Sequence, residues 1–138
     1  MVLNESLRLY PPAVSLFRTT TTDTQIGKLI VPAGTELVVP VIAWHHDEKY
    51  WGPDVHEFKP ERHDARNFEA YKKEAFLPFS IGPRNCIGQT FAMLEAKVAI
   101  SIILQNFRLS LSSSYRHTPI NILMLHPEFG MPLLLEKL

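Results

Sequence analysis

The feature that most constrains this chain is the run around its only cysteine, Phe79-Ser80-Ile81-Gly82-Pro83-Arg84-Asn85-Cys86-Ile87-Gly88. The run follows Leu77-Pro78 and leads into an apolar segment that predicts a long helix from Ile87 to Phe107. The thiolate, not the thiol, is the metal-binding form of cysteine. At the start of a helix, Cys86 meets free backbone N–H groups and the positive end of the dipole. Both lower the energy of a thiolate. Gly82 and Gly88 admit backbone angles and close approaches that a Cβ blocks. Arg84 brings a permanent cation that can fork onto a carboxylate. A single cysteine excludes an internal disulfide and any multi-cysteine zinc site.

The fixed positions Phe79, Gly82, Arg84, Cys86 and Gly88 resemble the heme-binding loop of the cytochrome P450 superfamily, Phe-x-x-Gly-x-Arg-x-Cys-x-Gly. With each residue type used at about 5%, five such positions match by chance on the order of 10⁻⁷ to 10⁻⁶ of the time. The resemblance implies heme b as cofactor, with Cys86 as axial iron ligand and central catalytic residue. It implies that Phe79 shields the sulfur, that the glycines let the macrocycle lie on the loop, and that Arg84 meets a propionate. A cysteine thiolate on heme iron favours O–O cleavage.

Two further motifs carry the same resemblance. Glu5 and Arg8 stand three apart in Glu5-Ser6-Leu7-Arg8, on one face of a helix predicted over Val2 to Tyr10 and stopped by Pro11-Pro12. Phe58-Lys59-Pro60-Glu61-Arg62-His63 resembles the family's Phe-x-Pro-Glu-Arg-Phe segment, with His63 in place of the last phenylalanine. In relatives that arginine joins the helix pair, so Glu5, Arg8 and Arg62 are expected to form a buried ion trio. The departure at His63 puts local packing in question, not the trio. Arg18 matches a second propionate contact. Ala13, Val14, Ser15 and Leu16 match a segment at the heme edge that shapes the substrate pocket. Phe129, Gly130 and Met131 match the tip of a terminal hairpin that reaches the same pocket.

The remaining chain reads in order. Ala13 to Pro40 predicts short strands, with turns at Ile26-Gly27-Lys28 and Val31 to Thr35. The threonine run Thr19 to Thr22 reads as half-exposed strand, not as an oxygen-activation motif. Ala43 to Trp51 predicts a short helix ended by Gly52-Pro53. His45 and His46 are adjacent, so they diverge on a helix, and no third ligand has suitable spacing; they read as structural or surface residues. Asp64 to Phe76 reads as an exposed meander. The Ile87 to Phe107 helix carries a narrow polar stripe of Thr90, Lys97, Ser101 and Gln105 and is otherwise almost wholly apolar, which predicts burial on most sides. Within this chain it lacks enough partner surface. Ser110 to Ser114 reads as a loop, and Ile120 to Leu125 and Met131 to Leu135 as strands joined by His126 to Gly130.

Basic and acidic residues balance at 14 each, so nothing points to nucleic acid. Val98 to Phe107, the longest apolar stretch, is far short of the roughly 20 residues of a membrane span. No signal-peptide pattern or membrane anchor is expected in this chain. Helical spacing begins at Val2 without a capping residue, so residues 1–138 are expected to be the C-terminal, heme-binding part of a larger P450 domain. The expected fold class is mixed α and β, mainly α, with a small sheet and a terminal hairpin.

The Gly-Gln after Ile87, the His-His-Asp stretch and the Pro-Glu-Phe-Gly ending resemble a plant microsomal clan that oxidises steroids and terpenoids. The resemblance implies a monooxygenase that inserts one oxygen atom of O₂ into an apolar small molecule. It also implies electrons from NADPH through a flavoprotein reductase. The full-length protein would sit at the cytosolic face of the endoplasmic reticulum membrane. Two alternatives stand beside it: a truncated, catalytically inactive gene product, and a heme-thiolate isomerase or dehydratase. No stretch supplies the helix expected above the heme.

Overall fold

In the computed structural model, which describes residues 1–64 and 74–138, helices alternate with four two-stranded antiparallel sheets. Helix α1 spans Val2–Leu9 and ends as Pro11 and Pro12 withhold backbone donors. It buries Glu5, Arg8 and Leu9. The chain then forms β1 (Leu16–Thr19), β2 (Thr24–Ile26), β3 (Leu29–Val31) and β4 (Glu36–Val39). β1 pairs with β4 and β2 with β3. The turns fall at Gly27 and Gly34, both at positive φ, which glycine adopts without a Cβ clash.

The helix expected from Ala43 is two helices. α2 (Val41–His45) ends at His46, and α3 (Glu48–Trp51) restarts behind Asp47, whose side chain accepts from the Lys49 N–H at 2.9 Å. An aspartate that caps the next helix competes with continuation of the previous one. Gly52 then ends α3 at φ 86°. Trp51, Val55 and Ala75 form the buried core, with Tyr50 and Phe76 against it. Most of the stretch read as an exposed meander lies outside the described residues. Its end departs from that reading: Ala75 is buried, and Phe76 stacks on His45 at 5.5 Å between ring centroids.

Helix α4 spans Gln89–Asn106, two residues later than expected, because Gly88 sits at the cap position. It continues into β5 (Phe107–Leu111). None of its residues is buried. This corrects the expectation of burial on most sides. A largely apolar surface shows what a helix needs as cover, and among the described residues the start of α1 and strand β5 stand near it.

The terminal strands also pair differently from the expectation. β6 (Pro119–Ile122) and β7 (Met124–Pro127) form a tight hairpin turning at Leu123, which takes φ 67° and is 95% exposed. β8 (Leu133–Lys137) pairs with β5, not with its sequence neighbour. The turn at Gly130 is therefore a connection between sheets. The alternation across 120–125 conceals a reversal within one apolar run, since Leu123 is not a typical turn residue.

Candidate functional site

The most buried polar cluster is built on α1. Arg8 donates from Nε to Glu5 Oε2 at 2.9 Å and from Nη2 to Glu5 Oε1 at 2.8 Å, a forked pair with both side chains fully buried. The Lys59 N–H donates to Glu5 Oε1 at 3.0 Å, and His63 Nε2 lies 2.9 Å from Oε2. Arg62 Nε stands 3.5 Å from Glu5 Oε1, within ion-pair range. Arg62 makes its shorter contacts elsewhere: Nη1 donates to the Trp51 carbonyl, and Nη2 meets Asp54 Oδ1 at 2.6 Å. Glu5, Arg8 and Arg62 thus come together, with His63 and Asp54 in the same network.

The electrostatics follow from these contacts. Burial pushes the Glu5 carboxyl up, but hydrogen bonds from Arg8, Lys59 N–H and His63 and the Arg8 charge outweigh it and hold it below the usual carboxylate range. Burial pushes His63 below its ordinary value, against the pull of Glu5. Hydrogen bonds from Lys59 and Arg62 hold Asp54 down at about 2. Sequence reasoning did not single out Asp54. Its spacing from Lys59 and Arg62 across an irregular segment carries no periodic signal.

α2 connects this cluster to the cysteine run. Arg8 Nη1 donates to the His45 carbonyl at 2.9 Å, and His45 Nδ1 donates to the Arg8 carbonyl at 3.1 Å. The Leu77 N–H donates to His45 Nε2 at 2.8 Å. His46 Nε2 donates to the Leu9 carbonyl at 3.0 Å. Both histidines therefore serve the backbone.

The loop that follows is tightly folded. Ser80 takes φ 65° and Gly82 φ 76°, and Gly82–Arg84 form one turn of 3₁₀ helix. The Cys86 N–H closes the loop on the Phe79 carbonyl at 2.8 Å. Gly82 supplies a left-handed angle that a side chain resists. Gly88 does not: its φ is −84°, and a Cβ there would stand 3.9 Å from Cys86 Sγ, an ordinary contact. The thiol lies beside the N-terminal cap of α4, and Cys86 is exposed. Phe79 is half-buried.

Exposed apolar side chains flank the thiol in sequence, Ile81 and Ile87 in the loop and Phe91 in the first turn of α4. Arg84 is exposed and forms no ion pair among the described residues. Arg18, on β1, donates from Nη2 to Ser80 Oγ at 3.0 Å and from Nη1 to its neighbour's carbonyl. Arg18 also lines a cavity of about 400 Å³ with Leu16, Leu77, Ser80, Ile81 and Glu74. An outward thiol, apolar neighbours and two guanidiniums without a bonded carboxylate among the described residues fit a flat, apolar group that carries carboxylates.

The 13–16 segment is tied to this region by the Ile42 N–H, which donates to the Val14 carbonyl at 3.2 Å. The β6–β7 hairpin docks beside it, since the Leu125 N–H donates to the Pro12 carbonyl at 2.9 Å. The exposed tip is Ile122-Leu123-Met124. Phe129, Gly130 and Met131 are not that tip. Phe129 lies under the Arg116 guanidinium at 4.5 Å, and Met131 lines a separate cavity of about 330 Å³ with Tyr10 and His117.

Residues 1–133 match the family described as Cytochrome P450. A cytokinin hydroxylase of Arabidopsis thaliana is 47% identical over 99% of this chain and 26% of its own length. A 7-deoxyloganic acid hydroxylase of Catharanthus roseus is 49% identical, and an 11-oxo-beta-amyrin 30-oxidase of Glycyrrhiza uralensis 47% identical, each over 100% of this chain and 27% of its own length. The chain thus spans about a quarter of the length of these curated relatives.

Proposed function

Because this chain belongs to the cytochrome P450 family, we propose that residues 1–138 are the heme-binding C-terminal part of a monooxygenase acting on an apolar small molecule. The observation that carries the reading is the Phe79–Gly88 loop. It offers one exposed thiol at the cap of α4, with the Arg18 and Arg84 cations on or beside the same loop. Cys86, as thiolate, would hold the iron of heme b. Heme bound there would supply the O–O cleavage chemistry that puts one oxygen atom of O₂ into a substrate. Arg18 and Arg84 would hold the propionates of that heme by charge-assisted hydrogen bonds. Phe79 limits water near the sulfur.

Ala13, Val14, Ser15 and Leu16 form one wall of the substrate side, and the hairpin tip Ile122-Leu123-Met124 a second. These residues are almost wholly apolar, which selects an apolar substrate such as a steroid or terpenoid. The names of the hydroxylase and oxidase relatives support oxygen insertion as the chemistry. Electrons come from NADPH through a flavoprotein reductase, and the complete enzyme works at the cytosolic face of the endoplasmic reticulum membrane. Among the described residues no helix is long and apolar enough to cross a membrane.

The test uses the native gene product with a plant reductase, NADPH and labelled dioxygen. The reading expects one labelled atom in the product and no turnover without reductase. Conversion of an organic peroxide with no need for reductase would replace it with the isomerase or dehydratase reading. Residues 1–138 alone, given hemin and reductase, are expected to yield no oxygenated product.

A further inference from the structure

We infer that His45 is a positioning residue for the cysteine loop, tethering its entrance to the Glu5–Arg8 pair through one fixed tautomer of its imidazole. The inference rests on the reading above only where it concerns the iron ligand. The tether itself is a property of the fold.

His45 is fully buried, and both ring nitrogens are committed to backbone groups on different elements. The Leu77 amide can only donate, so Nε2 must present its lone pair. The Arg8 carbonyl can only accept, so Nδ1 must carry the hydrogen. The two bonds together specify the neutral Nδ1–H form. The Arg8 guanidinium adds a third bond in the reverse direction, onto the carbonyl of His45 itself. The imidazole is thereby aimed from both its ring and its backbone, and Phe76 stacks on its face.

What it holds is the base of the loop. Leu77 is buried, and its N–H has no water to fall back on. Pro78 follows and has no N–H to give a second anchor. Phe79 comes next, and its carbonyl accepts the Cys86 N–H. A short path therefore runs from Glu5 through Arg8 and His45 to Leu77, and along two peptide units to the bond that sets the height of Cys86. Through this path the buried ion cluster acts on a loop it does not touch among the contacts described above.

Two substitutions separate the tether from simple space filling. His45→Gln can place an acceptor near the Nε2 position, and His45→Asn can place a donor near Nδ1 but no acceptor for Leu77. In the native gene product, His45→Asn should raise hydrogen exchange at the Leu77 and Cys86 amides about tenfold, the effect of losing one buried hydrogen bond. It should also diminish the red-shifted Soret band of the reduced carbon monoxide complex. His45→Gln should restore both. Equal loss in the two variants, or retention of loop protection in His45→Asn, would overturn the tether. Should neither variant fold, nitrogen NMR of the wild type decides. The inference requires the Nδ1–H tautomer and a coupling between the Leu77 amide and Nε2; an Nε2–H tautomer contradicts it. A wild type that lacks the red-shifted band but keeps the coupling would refute the heme reading and leave the tether standing.

Discussion

Arg8 and His45 hold each other reciprocally: each side chain donates a hydrogen bond to the other's backbone carbonyl, at 2.9 and 3.1 Å. The pair joins α1 to α2 with both side chains shielded from water. Each residue satisfies a carbonyl at or near a helix C-terminus, where intrahelical partners run out. The helix-borne Glu5–Arg8 motif is thus anchored before any third charged group approaches it.

Removal of the Arg8 side chain should be severe. Arg8→Met leaves the Glu5 carboxylate buried with its main counter-charge gone and frees the carbonyls of His45 and Glu57. Breaking such a pair costs roughly 3–5 kcal/mol. Denaturant unfolding checks this, and a loss below about 1 kcal/mol would contradict the role given to Arg8.

Acid should weaken the fold before the carboxylates titrate. Burial, with the nearby His46 and Arg8 charges, pushes His45 from 6.5 to about 4. Between these values the unfolded chain binds more protons than the folded one, so stability falls as pH falls. His45's contribution is complete above pH 6.5 and lost by about pH 4, roughly 3 kcal/mol in all. His46 and His63 are shifted in the same direction and steepen the trend. Glu5, held low, adds its own loss only below 4.5. Unfolding midpoints between pH 6.5 and 5 should decline, and the decline should shrink in His45→Gln.

His63 should behave as a partner of Glu5. His63→Phe restores the aromatic of the family pattern but deletes the bond to Glu5 Oε2. Glu5 keeps Arg8 and the Lys59 N–H, so the loss should be about 1.5–3 kcal/mol, that of one hydrogen bond to a charged group. A variant more stable than wild type would show that ring packing against Trp51 and Phe76 outweighs the bond.

The polypeptide of 138 residues should self-associate through α4. Leu94, Val98 and Ile102 lie on one face and are more than half exposed. Apolar patches of this kind drive aggregation. Substituting all three with Gln should reduce light scattering without lowering the unfolding midpoint, and unchanged scattering would contradict this assignment.

Much of this arrangement was legible in the sequence, for physical reasons that differ by residue. Pro11-Pro12 ends α1 because proline has no other option, and Gly27 and Gly34 mark turns for which their φ values call. Glu5 and Arg8 could be paired from spacing alone, since three residues put them on one face. Arg62 was placed beside them only through the motif it belongs to. His45, Asp54 and the Leu123 turn were not assigned these contacts. Each acts through backbone groups or through a partner on an irregular segment, and no periodicity records such contacts. The α4 helix shows the limit most plainly, because hydropathy reports demand for burial and not its supply.

The central claim is that Cys86 binds heme iron as a thiolate. It is tested most directly by Cys86→Ser in the native gene product, reduced and exposed to carbon monoxide. The wild type should show the red-shifted Soret band that a thiolate ligand produces, and the serine variant should lack it. A serine variant that keeps the band, or a heme-loaded wild type that never shows it, would contradict the claim.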